Sequence, residues 1–401
     1  MSKIEELLKN EKVEWKKLGD ICEFKRGQTI TKKGITNGNI PVIAGGQKPA
    51  YYHNLSNRNG ITIAVSGSGA YAGYISYWEQ PIFLSDAFSI EPNESLNKRY
   101  LYHWLMSIQN KIFELKQGSG IPHVYGRDLG KFEIPIPSIE IQEKIVKILD
   151  KFTDYVTELQ AELQARTKQY EYYRDMLLSE EYLNKISTKL DGLEGKNYEV
   201  KFTTLGEIGE IQMCKRILKE QTSSQGEVPF YKIGTFGKEA DSFISQGLFR
   251  EYREKYNYPK NGEILISASG TIGKTVIFDG KDAYFQDSNI VWLSHNERLV
   301  LNKYLYYFYQ IVKWNLSTGG TINRLYNYNL KNVKITLPPI EIQNKVVEIL
   351  DKFQSLLADT KGLLPQEIEQ RQKQYEYYRE KLLTFDENSA KHTHTHTQSN
   401  F

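Results

Sequence analysis

The sequence predicts a mixed α/β (α+β) protein built as an internal repeat. Two similar β-rich modules are separated by two long helices that pack as an antiparallel coiled coil with pseudo-two-fold symmetry. Three observations predict it. The segment IEIQEKIVKILDKF at 139–152 returns as IEIQNKVVEILDKF at 340–353, an offset of 201. Each copy opens a heptad-like apolar stripe. Each is preceded by short apolar runs punctuated by glycine and serine, the pattern of strands and turns.

The repeat covers most of the chain. QYEYYRD at 169–175 matches QYEYYRE at 374–380, now at an offset of 205. IPHVYGRDLGKFEIPIP (121–137) aligns with INRLYNYNLKNVKITLP (322–338) at 201. ITIAVSGSG (61–69) aligns with EILISASG (263–270), Asp86 with Asp287, and Leu18–Ile21 with Leu205–Ile208. The order is module, helix, module, helix, as expected of a duplicated unit. Domain bounds follow: 1–137 and 199–338 for the modules, 138–198 and 339–384 for the helical spacers, and 385–401 for a disordered tail. The helical segments resemble each other far more than the modules do. The helices therefore share one job, while the modules are free to differ.

Within the modules, 61–65 and 264–266 read as strands. One helix is predicted late in each, over 97–116 and 301–314. Glycine-bearing loops recur at Gly45–Lys48, Ser66–Gly69 and Gly118–Gly120, and again at Ser269–Thr271 and Gly319–Thr321.

Pro137 and Pro339 mark the helix starts. The first seam runs Ile141, Ile145, Ile148, Phe152, Leu159, Leu163, Tyr170, Tyr173, Leu177. The second runs Ile342, Val346, Ile349, Phe353, Leu356, Leu363, Ile368, Tyr375, Tyr378, Leu382. The change of offset places four extra residues in the second helix, a stutter that shifts the seam without destroying it. Gly362 and Pro365 lie beside it, so a local break is expected there. About 45 residues of helix span roughly 65–70 Å at 1.5 Å per residue. Antiparallel packing would then set the modules at opposite ends of a rod that acts as a ruler.

Of the 401 residues 40% are hydrophobic, enough for buried cores, and no apolar run approaches a membrane span. The charged start, Met1 to Asn10, carries no apolar signal core. Only two cysteines occur, Cys22 and Cys214, outside any Cys-x-x-Cys pair. That argues against a structural zinc site and fits a reducing cytoplasm. The net charge of +3 is unevenly spread. Residues 13–137 hold 14 basic against 10 acidic residues and 199–337 hold 18 against 14, so each module carries +4. The spacers are acidic, 9 against 12 for 138–198 and 8 against 10 for 338–401. Two basic modules could face phosphates; the acidic segments would not.

Two divergent modules set between near-identical helical segments resemble the specificity subunit of type I restriction-modification systems. The residues that carry the resemblance are IPSIEIQEKIVKILDKF (136–152), LPPIEIQNKVVEILDKF (337–353), the paired QYEYYR segments and the Leu-Gly-Asp/Glu-Ile openings. It spans roughly 13–384. The resemblance implies that each module is a target-recognition domain reading one half of a split site on double-stranded DNA. It implies that the helices hold two adenine-methyltransferase subunits, that a motor-nuclease subunit joins for cleavage, and that the chain itself is not an enzyme. S-adenosylmethionine, ATP and Mg²⁺ would be bound by those partners, leaving no cofactor in this chain.

ASGTIGKT at 268–275 fits a relaxed phosphate loop, with Lys274 and Thr275 in place. Such a loop must open a helix, yet 275–278 reads as a strand. Leu337–Ile340 lacks the amide and aromatic of an adenine-methyltransferase tetrapeptide. Asp86 and Asp287 are the only acids recurring at matching loop or strand positions, and a structural hydrogen-bonding role suits them better than Mg²⁺ binding. His392, His394 and His396 alternate in the tail, with weak metal affinity at best, so no metal site is assigned. A non-DNA scaffold and a nucleotide-binding enzyme are the alternatives. For DNA contact, loop residues bearing amide, hydroxyl or basic groups beside glycine are the candidates. They are Arg26, Gln28, Lys32, Gln47, Lys48, Ser68, Ser119 and His123 in the first module. In the second they are Lys215, Arg216, Lys232, Thr235, Ser269, Thr271, Lys274, Thr321 and Arg324.

Overall fold

The computed structural model describes residues 8, 11–195, 198–314 and 324–385. The chain divides into two units. The first takes residues up to Glu162 and again from Leu363; the second is Leu163–Gly362.

The first module begins with β1 (Glu14–Lys17), the short turn α1 (Leu18–Ile21) and β2 (Cys22–Arg26). Then follow β3 (Ile40–Ile43), β4 (Tyr51–His53), β5 (Thr62–Ser66), β6 (Ile75–Trp78), β7 (Phe83–Leu84) and β8 (Ala87–Pro92). It ends with α2 (Lys98–Ser107), α3 (Gln109–Glu114), α4 (Gly126–Leu129) and β9 (Glu133–Ile136). An antiparallel sheet of order β2-β8-β5-β6 is the main layer. All five residues of β5 are buried, as suits a central strand covered on both faces. A second sheet, β4-β3-β7, joins β3 and β7 in parallel. β1 pairs antiparallel with β9, Glu14 opposite Ile136. The module thus starts and ends side by side, at the foot of the helix that follows. Gly19 N–H donates to the Gly130 carbonyl at 2.9 Å, and a Cβ on Gly19 would sit 3.2 Å from that oxygen, an approach that glycine permits.

That helix, α5 (Ile139–Leu177), stops at Ser179. The Ser179 hydroxyl accepts from the Tyr182 amide at 3.2 Å and caps α6 (Glu180–Glu194). The first spacer is therefore 39 helical residues followed by a second helix of 15, shorter than the expected run of about 45.

The second module repeats the first: β10 (Lys201–Thr204), α7 (Leu205–Ile208), β11 (Gly209–Met213), β12 (Val228–Tyr231) and β13 (Phe243–Ile244). Next come α8 (Gln246–Lys255), β14 (Ile264–Ser267), β15 (Thr275–Ile277), β16 (Tyr284–Phe285), β17 (Ile290–His295), α9 (Asn302–Tyr309), α10 (Asn327–Lys331) and β18 (Lys334–Leu337). Its sheets, β11-β17-β14-β15, β13-β12-β16 and β10-β18, reproduce the first set. α8 has no sequence-predicted counterpart. Ser245 caps it and Phe249 anchors it in an aromatic core with Phe230, Phe285 and Trp292.

α11 (Ile340–Leu383) is one helix of 44 residues with Pro365 inside it. This corrects the expected break at Gly362 and Pro365. Residues 361–363 and 365 are all exposed, so the backbone carbonyl that proline leaves unpaired faces solvent rather than a core.

The helix ends belong to the module cores. In the first unit Ile141, Ile145 and Leu149 from α5, and Leu382 and Leu383 from α11, cluster with Tyr100, Leu101 and Trp104 of α2 and Ile63 of β5. In the second, Ile342, Val346 and Leu350 from α11 and Leu177 from α5 cluster with Tyr304 and Leu305 of α9. Within the first unit Phe152 stacks on Tyr378 at 5.2 Å, and Arg371 lies over Tyr155 at 5.1 Å. Within the second, Tyr173 stacks on Phe353 at 5.1 Å. Higher positions on one helix meet lower positions on the other, so the pairing is antiparallel. Ile349, Leu356 and Leu363 fall outside the seam at 36%, 64% and 69% exposure, while Leu350, beside Ile349, is fully buried. The start of α11 packs on its module as well as on α5, so the apolar stripe is wider than a coiled-coil seam and Leu350 takes the inner place.

Candidate nucleic-acid interface

Each module carries the same loop framework. After the central strand, Gly67 and Ser68 bend back, and Ser68 forms an antiparallel bridge with His123. The Val124 amide donates to the Gly67 carbonyl at 3.0 Å. In the second module Ser269 bridges Arg324, and the Leu325 amide donates to the Ala268 carbonyl at 2.8 Å. Gln117 and His123 exchange backbone hydrogen bonds at 2.9 and 2.8 Å, closing a loop with exposed Ser119 inside it.

In the first module this framework borders an open cleft of about 560 Å³, lined among others by Arg26, Asp86, His123, Tyr125 and Arg127. The His123 ring stacks on Tyr125, 6.1 Å between centroids and 15° between planes, and the Arg127 guanidinium lies 5.0 Å over the same tyrosine. Cations and aromatic faces beside an open cleft suit phosphates and base edges. Of the predicted residues the structure brings Arg26 and His123 to the cleft. Gln28 is exposed just beyond β2, its backbone N–H donating to the Leu84 carbonyl. Lys32 opens the 3-10 turn Lys32–Gly34. Gln47 and Lys48 are exposed on the β3–β4 loop, which Ser66 ties to the sheet through the Gly46 carbonyl at 3.1 Å.

Several candidates are engaged, wholly or in part, by the protein. Ser68 is buried and its hydroxyl donates to the Asp86 carboxylate, which gives that acid the structural role expected of it. Ser269 donates to Asn289 at 2.7 Å. Lys274 folds inward onto the Phe236 carbonyl at 2.5 Å, and Thr275 enters β15, paired antiparallel with β14. The 268–275 segment is thus a hairpin loop without the helix a phosphate loop needs. Lys232 pairs with Asp241 at 2.9 Å, and Thr235 closes a turn on the Lys232 backbone. Arg324 donates from Nη2 to the Ser288 carbonyl and hydroxyl at 3.1 and 2.6 Å. Lys215, Arg216 and Thr271 are exposed, with Lys215 5.2 Å over Tyr256. Thr321 and the histidines at 392, 394 and 396 lie outside the described residues. Sequence reasoning missed Tyr125 and Arg127; the alternation HVYGRD was the available signal.

Beneath the interface each module is seated on its helix by matched contacts. Gln142, fully buried, accepts from the Asn97 amide at 2.7 Å and donates to the Ser95 and Pro137 carbonyls at 3.1 and 2.9 Å. Gln343, equally buried, accepts from Leu301 at 2.9 Å and donates to Leu299 and Pro338 at 2.9 and 2.8 Å. The Tyr100 hydroxyl donates to Pro135 at 2.9 Å and that of Tyr304 to Thr336 at 2.8 Å. In the first unit His103 sits between Asp150 at 2.8 Å and Tyr375 at 2.9 Å. Those partners place its proton on Nε2, with Nδ1 accepting from Tyr375. Burial lowers the His103 pKa, outweighing the pull of Asp150. Burial opposes the Asp150 charge, yet hydrogen bonds from His103 and Arg99 win and hold its pKa below the ordinary range. In the second unit Tyr307 donates to Asp351 at 2.6 Å, and Lys303 pairs with the same carboxylate at 2.5 Å.

Among the described residues no group of histidine, cysteine, aspartate or glutamate is placed to hold a metal ion, and no helix is long and apolar enough to cross a membrane. A β-rich module built twice on the same bridged loop framework, seated each time on paired long helices, defines a protein of two duplicated modules. The family model for the type I restriction modification DNA specificity domain matches the chain twice, over 10–169 and 197–370, and the chain belongs to that family. A Haemophilus influenzae protein named as a type I restriction enzyme specificity subunit is 44% identical over 403 residues, 95% of this chain and 98% of its own. The EcoR124I/EcoR124II specificity subunit of Escherichia coli is 29% identical, with 96% of this chain and 97% of its own aligned. The crystal structure of the type I restriction-modification S subunit from M. genitalium superposes with a TM-score of 0.55 at 20% identity, covering 94% of this chain and 98% of that one, and shares the fold.

Proposed function

We propose that this chain is the DNA-reading specificity subunit of a type I restriction-modification enzyme, each module reading one half of a bipartite site. The observation that carries the reading is the pair of identical bridged loop frameworks that present different side chains, His123 in one and Arg324 in the other. Affinity would come from the basic module faces through phosphate contacts, and sequence from side chains on base edges. The chain positions two methyltransferase subunits, which bind S-adenosylmethionine and flip the target adenine out of the duplex. ATP and Mg²⁺ belong to the motor-nuclease subunits that join for cleavage. This chain supplies no reacting group; its residues orient the DNA.

The test is a gel shift of the full chain with and without its methyltransferase partner, followed by mapping of methylated adenines. Two half-motifs at fixed spacing, methylated once each, are expected. A partnered complex that binds DNA no better than the methyltransferase alone would overturn the reading.

A further inference from the structure

We propose that one position per module, His123 in the first and Arg324 in the second, determines specificity by reading a base pair of its own half-site. The inference rests on the bipartite reading above and adds which residues discriminate. The two positions are 201 apart, the offset of the repeat. Their backbones are fixed alike, by the bridges from Ser68 and Ser269 and by the amides of Val124 and Leu325 on the loop carbonyls. On that shared bridge the functional groups differ, an imidazole against a guanidinium. A constant frame with a changed donor set is what two readers of different bases require.

Local geometry fits each side chain for base contact. The Tyr125 stack fixes the plane of the His123 ring at the cleft. Among the described residues no protein group takes either of its ring nitrogens, which leaves both for hydrogen bonds to a base edge. Arg324 is clamped through Nη2 by Ser288. Ser288, at φ +50°, is the only non-glycine among the described residues in the left-handed region. Serine adopts that conformation rarely, and strain of this kind gathers where a group must be aimed. The clamp leaves Nε and Nη1 to donate to a base-edge acceptor such as the O6 or N7 of a guanine.

The experiment uses the full chain assembled with its methyltransferase subunit on a randomised DNA library, with methylated adenines mapped by sequencing. Arg324→Lys should relax one G·C position in one half-site by about tenfold or more. It should leave the other half intact and the salt dependence unchanged, because the charge stays. Arg324→Gln should move preference at that position toward adenine, and His123→Ala should relax one position in the opposite half. Melting curves matching the unaltered chain guard against misfolding. An unchanged motif in all three variants, or weakening spread evenly over sequences and both halves, overturns the proposal. A native complex that yields no two-part motif would instead sink the bipartite reading itself.

Discussion

Replacing Gln142 by alanine removes three hydrogen bonds from a fully buried site: one from the Asn97 amide and one each to the Ser95 and Pro137 carbonyls. At about 1 kcal/mol for each bond, the loss is about 3 kcal/mol, and more where a stranded group stays dry. Gln343→Ala strips three equivalent bonds from the second unit and should cost the same. The two sites share no partner, so the double variant should be additive to within about 0.5 kcal/mol. Glutamate at either position keeps the acceptor but sets a carboxylate against two carbonyls, and should be worse than alanine. Hydrogen exchange resolves the units separately, which a single unfolding transition of a two-unit chain would not. The Asn97 amide should lose protection in Gln142→Ala and the Leu301 amide in Gln343→Ala, each about a hundredfold, with the other unchanged. A cost below about 1 kcal/mol at either site would refute the view that these glutamines seat the modules.

Three further outcomes follow from other parts of the fold. The His103 pKa lies below its ordinary 6.5 in the folded chain. Its stabilising contribution is therefore complete above pH 6.5 and is lost as pH falls through the lowered folded value. Melting temperature followed downward from about pH 8 to 5 should decline once pH falls below the ordinary 6.5, and His103→Gln should flatten the decline; an equal slope in both would exclude His103 as its source. Gly362→Ala adds a Cβ that meets nothing within 4 Å, so it should stabilise α11 by about 0.5–1 kcal/mol, and a loss in denaturant titration would contradict the continuous helix. Lys274→Met leaves the Phe236 carbonyl without its charged donor and should destabilise the second module by about 1.5–3 kcal/mol, read by exchange at β14 and β15; an unchanged exchange pattern would mean that the lysine is free.

What the sequence made legible and what it hid have separate physical causes. The long helices were readable because a heptad stripe and its near-copy report the same packing twice. The hairpin at 268–275 was readable because β-branched residues follow Lys274 where a phosphate loop needs a helix. The choice between Ile349 and Leu350 was not readable. Adjacent apolar residues both fit a stripe that serves a helix and a module core at once, and only the packing selects Leu350. α8 was hidden because its charged sequence offers few apolar positions, Phe249 being its buried anchor. The Ser179 cap was visible in retrospect as a serine before Glu180 and Glu181. Among the interface candidates, composition located the loops but not the commitments of Ser68, Ser269 and Lys274, which depend on partners 18, 20 and 38 residues away in the chain.

The two copies also explain how specificity can change without unfolding the chain. What they hold in common is buried: Gln142 and Gln343, Tyr100 and Tyr304, and the leucines Leu149 and Leu350 that set the helix starts into the cores. A change at any of these costs several kcal/mol, through stranded polar groups or cavities. What differs at the candidate interface sits on loops, where His123 and Arg324 are half-buried and variation is better tolerated than in a core. His123 and Arg324 occupy one backbone frame with unlike side chains, so the frame itself tolerates the exchange. The energetics therefore weigh on the seat, which resists substitution because its polar groups have nowhere else to bond.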